Sequence, residues 1–325
     1  VKRVILLTVF SFLLCQAQAD ILYVKKGSNG NGSSWAQAMG SLHKALSRAK
    51  KGDQIWVAAG TYYAAKGRDR ASSFIIPNGV SVFGGFAGHE RSVKERNLNS
   101  NFTVLSGAFG KQGDAFDNAY TVVTIKHADH TTQLNGLIIE KGGALGAEGT
   151  DQGYGAGLVN DGSNGQSNPV IANCIFRNNV ALEGAAIYNF GQGGNCSPTI
   201  QNCQFINNEA FLNGGAIFNN GSRGECNPVI TNSYFENNKA VYGAGILNQA
   251  EPDGKTVPQI KECRFVSNVA TKRGSSIYNE STSASGICEP VILGCIHESH
   301  SSSDGNAIAY RVSKFDFSNL NSSGY

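Results

Sequence analysis

Charge is scarce in this chain of 325 residues: Asp, Glu, Lys and Arg make up 16% of it, 27 basic side chains against 24 acidic ones. Neither sign predominates, so the totals imply no surface for nucleic acid or another polyanion. Methionine occurs once, tryptophan twice and proline seven times. Helical 3.6-residue periodicity is missing from almost the whole chain, which points away from a helical fold. Long hydrophobic runs are missing too: the stretch from Val4 to Leu14 is shorter than the roughly 20 residues that cross a bilayer as a helix. No CxxC pair offers zinc ligands. Gly191, Gly193 and Gly194 are followed by no Lys-Ser/Thr, which discounts a phosphate loop.

What is abundant is glycine, at 40 residues. The opening VKRVILLTVFSFLLCQAQA, Val1–Ala19, has the basic start, short apolar run and small-x-small exit of a secretory signal peptide, with cleavage expected after Ala19. Cys15 suggests a lipoprotein signal, but Phe12 and Leu14 stand where a lipobox takes an aliphatic and a small residue. The expected product is a secreted or cell-surface bacterial protein without a transmembrane segment.

Internal repetition decides the fold. GAGLVN (Gly155–Asn160), GAAIYN (Gly184–Asn189), GGAIFN (Gly214–Asn219), GAGILN (Gly243–Asn248) and GSSIYN (Gly274–Asn279) recur at intervals near 30 residues. Each is followed by a polar loop and a second block: NPVIANCIFRNN, SPTIQNCQFINN, NPVITNSYFENN, VPQIKECRFVSN and EPVILGCIHESH. Two β-type runs per period, bounded by Gly, Pro and Asn, predict one coil of a parallel β-solenoid. Equivalent residues then stack at roughly 4.8 Å. Ile171, Ile200, Ile230, Ile260 and Ile292 form one inward ladder, and Phe176, Phe205, Phe235 and Phe265 another. Because these Ile and Phe are five apart, a bend is expected near Asn173 and its equivalents. Asn160, Asn189, Asn219, Asn248 and Asn279, with Asn179, Asn208, Asn238 and Asn268, form amide ladders. They are expected to donate to one neighbouring coil, accept from the other, and tolerate left-handed backbone at tight turns.

The fold class is therefore all-β: a single right-handed parallel β-helix with a short N-terminal capping helix. The expected organisation is signal peptide 1–19, cap 20–54, irregular coils with long loops 55–154, five regular coils 155–304, and a last partial coil and tail 305–325. Helical spacing of Ala38, Leu42, Ala45, Leu46 and Ala49 predicts the capping helix over Trp35–Lys51, ending at Gly52.

All the cysteines after Cys15 lie in the repeats. Cys174, Cys203, Cys263 and Cys295 share one ladder position, with Ser233 in the gap; Cys196, Cys226 and Cys288 share another. In a secreted protein, neighbouring coils would allow the disulfides Cys174–Cys203, Cys196–Cys226 and Cys263–Cys295. A stack of buried thiols is the alternative reading.

The GGAIFN and FxNN motifs resemble the GGA[IVL] and FxxN repeats of the polymorphic outer-membrane proteins and the wider group of secreted right-handed parallel β-helix proteins. ALSRAKKGDQIWVAAGTYY (Ala45–Tyr63) and GVSVFGGFAG (Gly79–Gly88) also look like the opening coils of bacterial surface β-helix proteins and, more loosely, of pectin-lyase-like enzymes. The resemblance implies a role at the cell surface or outer membrane in adhesion or carbohydrate binding, with an extracellular polysaccharide or a surface glycan or protein as partner.

Two functions follow. One is non-catalytic glycan binding or adhesion, with no cofactor. The other is a polysaccharide lyase, which needs a base beside a uronate carboxylate and a cation, such as calcium, to neutralise it. Its site would fall in the irregular coils. There KHADH supplies His127, Asp129 and His130 as catalytic candidates, while GRDR and HERSVKER supply Arg68, Arg70, His89, Glu90 and Arg91 as ligand-binding candidates. No metal ligands are assigned. The regular coils are read as scaffold, because one active site needs one constellation and not five copies.

Overall fold

The structure, a computed structural model, describes residues 19–312 except 66, 68, 110–113 and 148. The leader up to residue 18, Arg68 and residues 313–325 of the expected tail lie outside the described residues. The chain winds as a parallel β-solenoid whose coils contribute to four long sheets of nine, eight, six and eight strands. One representative coil runs through Val170–Ala172 in the first sheet, Ile175–Arg177 in the second, Val180–Glu183 in the third and Ile187–Phe190 in the fourth. Each strand pairs in parallel with its equivalent in the next coil, as Ile171 does with Ile200, Phe176 with Phe205 and Ile187 with Ile217.

Four strands per coil is a correction to the two expected. The second block divides because its central residue takes the left-handed conformation: Asn173, Asn202 and Asn232 have φ of 54°, 53° and 48°. The extra strand, in the third sheet, is built on short runs such as Glu209–Asn213 and Lys239–Tyr242. Its inward positions are alanines, Ala181, Ala210, Ala240 and Ala270, which form their own small cluster. A second left-handed corner falls at Asn178, Asn207 and Asn237, and a third at Gly184, Gly214, Gly243 and Gly274.

The asparagine pairs divide their labour differently from the expectation. In each NN pair the first residue takes the left-handed φ and the second, fully buried, carries the ladder. Asn179 donates to Oδ1 of Asn208, Asn208 to Asn238 and Asn238 to Asn268, at 2.9–3.0 Å. The other amide ladder runs from Asn160 through Asn189, Asn219 and Asn248 to Asn279 with steps of 3.2, 2.8, 2.8 and 2.7 Å. At its end the buried Nδ2 of Asn279 has no hydrogen-bond partner.

Between the ladders lies the main core. Phe176, Phe205, Phe235 and Phe265 stack with centroids 5.2, 4.6 and 4.6 Å apart, and His297 continues the column 5.1 Å beyond Phe265. Each such aromatic pair contributes roughly 0.5–1.5 kcal/mol beyond its buried area. At the N-terminal end, helix α1 (Leu42–Arg48) packs Leu42, Ala45 and Leu46 onto this core. It is shorter than the expected Trp35–Lys51. Ser41 caps it by accepting from the Lys44 N–H, and just before it Met39 forms an isolated bridge with Val24.

The seven cysteines of the described chain stand as thiols, so the three expected disulfides are absent from this structure. The expected pairs are nonetheless adjacent, each flanked by register partners on neighbouring coils: Ile175 and Gln204 beside Cys174 and Cys203, Asn195 and Glu225 beside Cys196 and Cys226, and Arg264 and Ile296 beside Cys263 and Cys295. Contact with Cys263 holds the Cys295 thiol down at about 7.

Candidate functional site

The candidates singled out from the irregular coils do not converge. His127 sits at a left-handed corner, φ 49°, and its Nε2 lies 3.0 Å from the Ser163 carbonyl. Asp129 pairs with Lys51 at 2.7 Å, which together with Thr131 holds its carboxyl well below the usual range. His130 is exposed. Arg70 is spent on the scaffold, donating to the Asn118 and Gly143 carbonyls while its guanidinium lies 4.1 Å from the centre of the Tyr120 ring. Glu90 is buried and folds its own loop, accepting the N–H groups of Ala87, Gly88 and His89. Burial works to raise the Glu90 carboxyl, but these N–H donors outweigh it and bring it below the usual range. His89 and Arg91 are exposed beside it. Among the described residues no three His, Cys, Asp or Glu side chains are placed to hold a metal ion.

A different place gathers aromatic, polar and charged side chains: the outer side of the fourth sheet. Side chains alternate along its strands. Ile187 therefore enters the core while its neighbour Tyr188 points out. Register aligns Thr124, Val159, Tyr188, Phe218, Leu247, Tyr278 and Ala309 into one outward ladder. Although outside the core, Tyr188, Phe218, Leu247 and Tyr278 are only 3%, 1%, 0% and 1% exposed. The glycine corners before this sheet explain that burial. At Gly214, with φ 64°, a Cβ would meet the Ile217 carbonyl oxygen at 2.7 Å and the Phe218 Cβ at 2.9 Å. The third sheet thus folds tightly against the fourth, and their outer sides meet over an apolar strip that includes the half-buried Tyr154, Phe190 and Tyr242.

This strip opens at both ends. Toward the N-terminus is a cavity of about 390 Å³ lined by Tyr120, Tyr154, Tyr188 and Phe190 together with Ser73, Thr124, Lys126, Asp151, Gln152 and Asp161. Tyr154 stacks on Tyr188 with centroids 4.8 Å apart and planes at 14°. Tyr188 is anchored from the next coil by Asn220, whose Nδ2 donates to its hydroxyl at 2.9 Å. Lys126 and Asp161 are register partners and pair at 2.9 Å. Burial works to raise the Asp161 carboxyl, but Lys126 and the Ser163 hydroxyl and N–H hold it below the usual range. The hydrogen bond and charge of Asp161 raise the Lys126 ammonium in turn. The pair is therefore fixed in its charged form at neutral pH, and neither member is a free base.

Three rungs along the ladder, a second concavity of about 550 Å³ is lined by Tyr242, Lys272, Arg273, Tyr278, Ser303, Asp304 and Arg311. Tyr242 and Tyr278 lie 5.1 Å apart, and the Lys272 ammonium is 5.4 Å from the Tyr242 ring centre.

Of the KHADH segment, only Lys126 reaches the first cavity. It is the last residue of its strand and points outward, opposite to Ile125, whereas the positive φ at His127 turns the rest of the motif onto another side. Tyr154, Tyr188 and Phe190 were not singled out, because they lie beside or inside repeat motifs read as scaffold. The signal was there: an inward Ile in GAAIYN puts the following Tyr outside.

No family model matches the chain, and no curated protein matches it. Among solved structures, the chain is similar to the crystal structure of pectate lyase Pel9A, with 14% identity, a TM-score of 0.42, and 90% of this chain and 80% of that one covered. It is also similar to the polygalacturonase from Erwinia carotovora ssp. carotovora, with 10% identity, a TM-score of 0.38, and 91% and 96% covered.

Proposed function

We propose that this is a secreted or cell-surface β-helix protein that binds a polysaccharide without cleaving it, through the cavity over Tyr154, Tyr188 and Phe190, in the service of adhesion. The observation that carries this reading is the cavity's composition. The half-buried rings of Tyr154 and Phe190, with Tyr188 buried behind Tyr154, lie beside hydroxyl, amide and ion-paired groups, in a volume within the roughly 300–1,000 Å³ of small-molecule sites. Sugar rings present apolar C–H faces and hydroxyl edges, and this lining offers a surface to each. Acid–base work requires a group that can change its protonation near neutral pH. The salt-bridged Lys126 and Asp161 do not provide one.

The test is a binding screen over a panel of polysaccharides by affinity electrophoresis, followed by titration. Loss of one aromatic face is worth about 0.5–1.5 kcal/mol. Tyr154→Ala is thus expected to weaken binding by a factor of about two to ten, with the wild-type circular dichroism spectrum retained. An ultraviolet assay for unsaturated product on polyuronates, with and without calcium, is expected to stay silent. Product formation that disappears in Lys126→Ala or His127→Ala would replace this reading with the lyase.

A further inference from the structure

We infer that the second concavity, around Tyr242 and Tyr278, is an anion-selective subsite for the same glycan chain, so that the ligand carries carboxylate or sulfate groups. The inference rests on the glycan reading of the first cavity and adds the chemistry of the ligand. Three cations, Lys272, Arg273 and Arg311, line this concavity with a single acid, Asp304. The Asp304 carboxylate accepts from the Ser302 hydroxyl and the Asn306 N–H, neutral donors that leave its charge in place; apart from the Arg311–Glu280 pair, Lys272 and Arg273 still outnumber it two to one. Arg311 reaches back to Glu280 at 3.4 Å. Lys272 and Arg273 are exposed and have no ion-pair partner within 4.0 Å among the described residues.

Their placement follows from the fold. Arg273 is the register partner of Tyr242, and Arg311 stands one rung beyond Glu280 on the fourth sheet. The cations therefore flank the aromatic strip from both sheets. An anionic substituent on a sugar seated against Tyr242 would lie between them, and a charge-assisted hydrogen bond there is worth about twice a neutral one. The first cavity differs in kind, because its one cation is paired with Asp161, and Asp151, with no ion-pair partner within 4.0 Å among the described residues, adds a second acid. The two ends of one apolar strip thus present opposite electrostatic preferences. A chain lying along the strip is held at the first cavity by its sugar faces and at the second by its charge.

The experiment titrates three probes against the wild type and the double variant Lys272→Ala/Arg273→Ala: a neutral glucan, a polyuronate and a sulfated galactan. Each is measured at low and high salt. The wild type is expected to bind one or both acidic probes about tenfold more tightly than the neutral one, a preference that fades at high salt as charges are screened. In the double variant that preference and its salt dependence disappear, while Tyr154→Ala weakens all bound probes together. Whether the polyuronate or the sulfated galactan responds identifies the anionic group. Equal affinity for neutral and acidic probes, or an unaltered preference in the double variant, would overturn the anionic subsite and leave the glycan reading intact. Failure of the wild type to bind any probe would overturn the glycan reading itself. Wild-type melting temperature in the double variant separates these outcomes from misfolding.

Discussion

Asn219 donates from Nδ2 to Asn248 and accepts from Asn189, both at 2.8 Å and both fully buried. Removing its amide leaves a buried donor on one side and a buried acceptor on the other, each costing about 1–3 kcal/mol. Asn219→Ala is therefore expected to destabilise by about 2–4 kcal/mol, seen as a lower urea midpoint. Asn279 ends the ladder with an Nδ2 that is already unpartnered, so Asn279→Ala strands only the donor of Asn248 and should cost less. Equal losses would mean that packing, not the chain of amides, sets the value of these positions. The ladder residues themselves could be read from the repeat, because a buried amide at every period has few other uses. What could not be read is which asparagine of an NN pair bends the backbone and which one stacks. Both are amides, and the choice depends on where the strand ends.

At the level of the strand and its corner, Gly214 and Asn207 both have positive φ, 64° and 55°, yet their surroundings differ. A Cβ at Gly214 runs into backbone at 2.7 Å, and left-handed φ costs an L-residue a further 1–2 kcal/mol, roughly. Gly214→Ala is expected to destabilise by more than about 2 kcal/mol and to loosen Phe218, whose near-ultraviolet surroundings report it. Asn207→Gly keeps a residue at ease in that conformation and should stay within about 1 kcal/mol of wild type. A mild Gly214→Ala would show that the third and fourth sheets are not held together by this corner. The strands of the third sheet escaped the sequence reading for a physical reason. Their inward face is alanine, and their outward residues, Glu209 and Phe211 or Lys239 and Val241, show no hydrophobic alternation. These alanines pack with Ala144, Ala156, Ala185 and Ala244 into a buried cluster made of alanine alone.

Across the whole molecule, fold and site were unequally legible. Identical rungs make the fold readable, since each coil restates the same Ile, Phe and Asn positions. The site draws on residues that differ between coils, Tyr154, Phe190, Lys126 and Asp161 at one end and Arg273 and Arg311 at the other, and only the register brings them to one strip. Between those ends the coils contribute floor and spacing. Residues 191–220 make up one full period between the register partners Phe190 and Asn220. Deleting them joins Phe190 to Gly221, in the setting Asn220 held, and shortens the interval from three rungs to two. At about 4.8 Å per rung the two concavities then stand roughly 10 Å apart instead of roughly 14 Å. Because each coil leans only on its neighbours, the shortened solenoid is expected to fold. In an oligosaccharide length series, the shortest chain that engages both ends should then become shorter; an unchanged minimum would show that they serve separate chains. On the proposed reading, the Asn and Phe ladders acquire a metrical meaning: the solenoid would act as a ruler graduated in strand spacings, the number of like coils setting the length of chain that spans both ends.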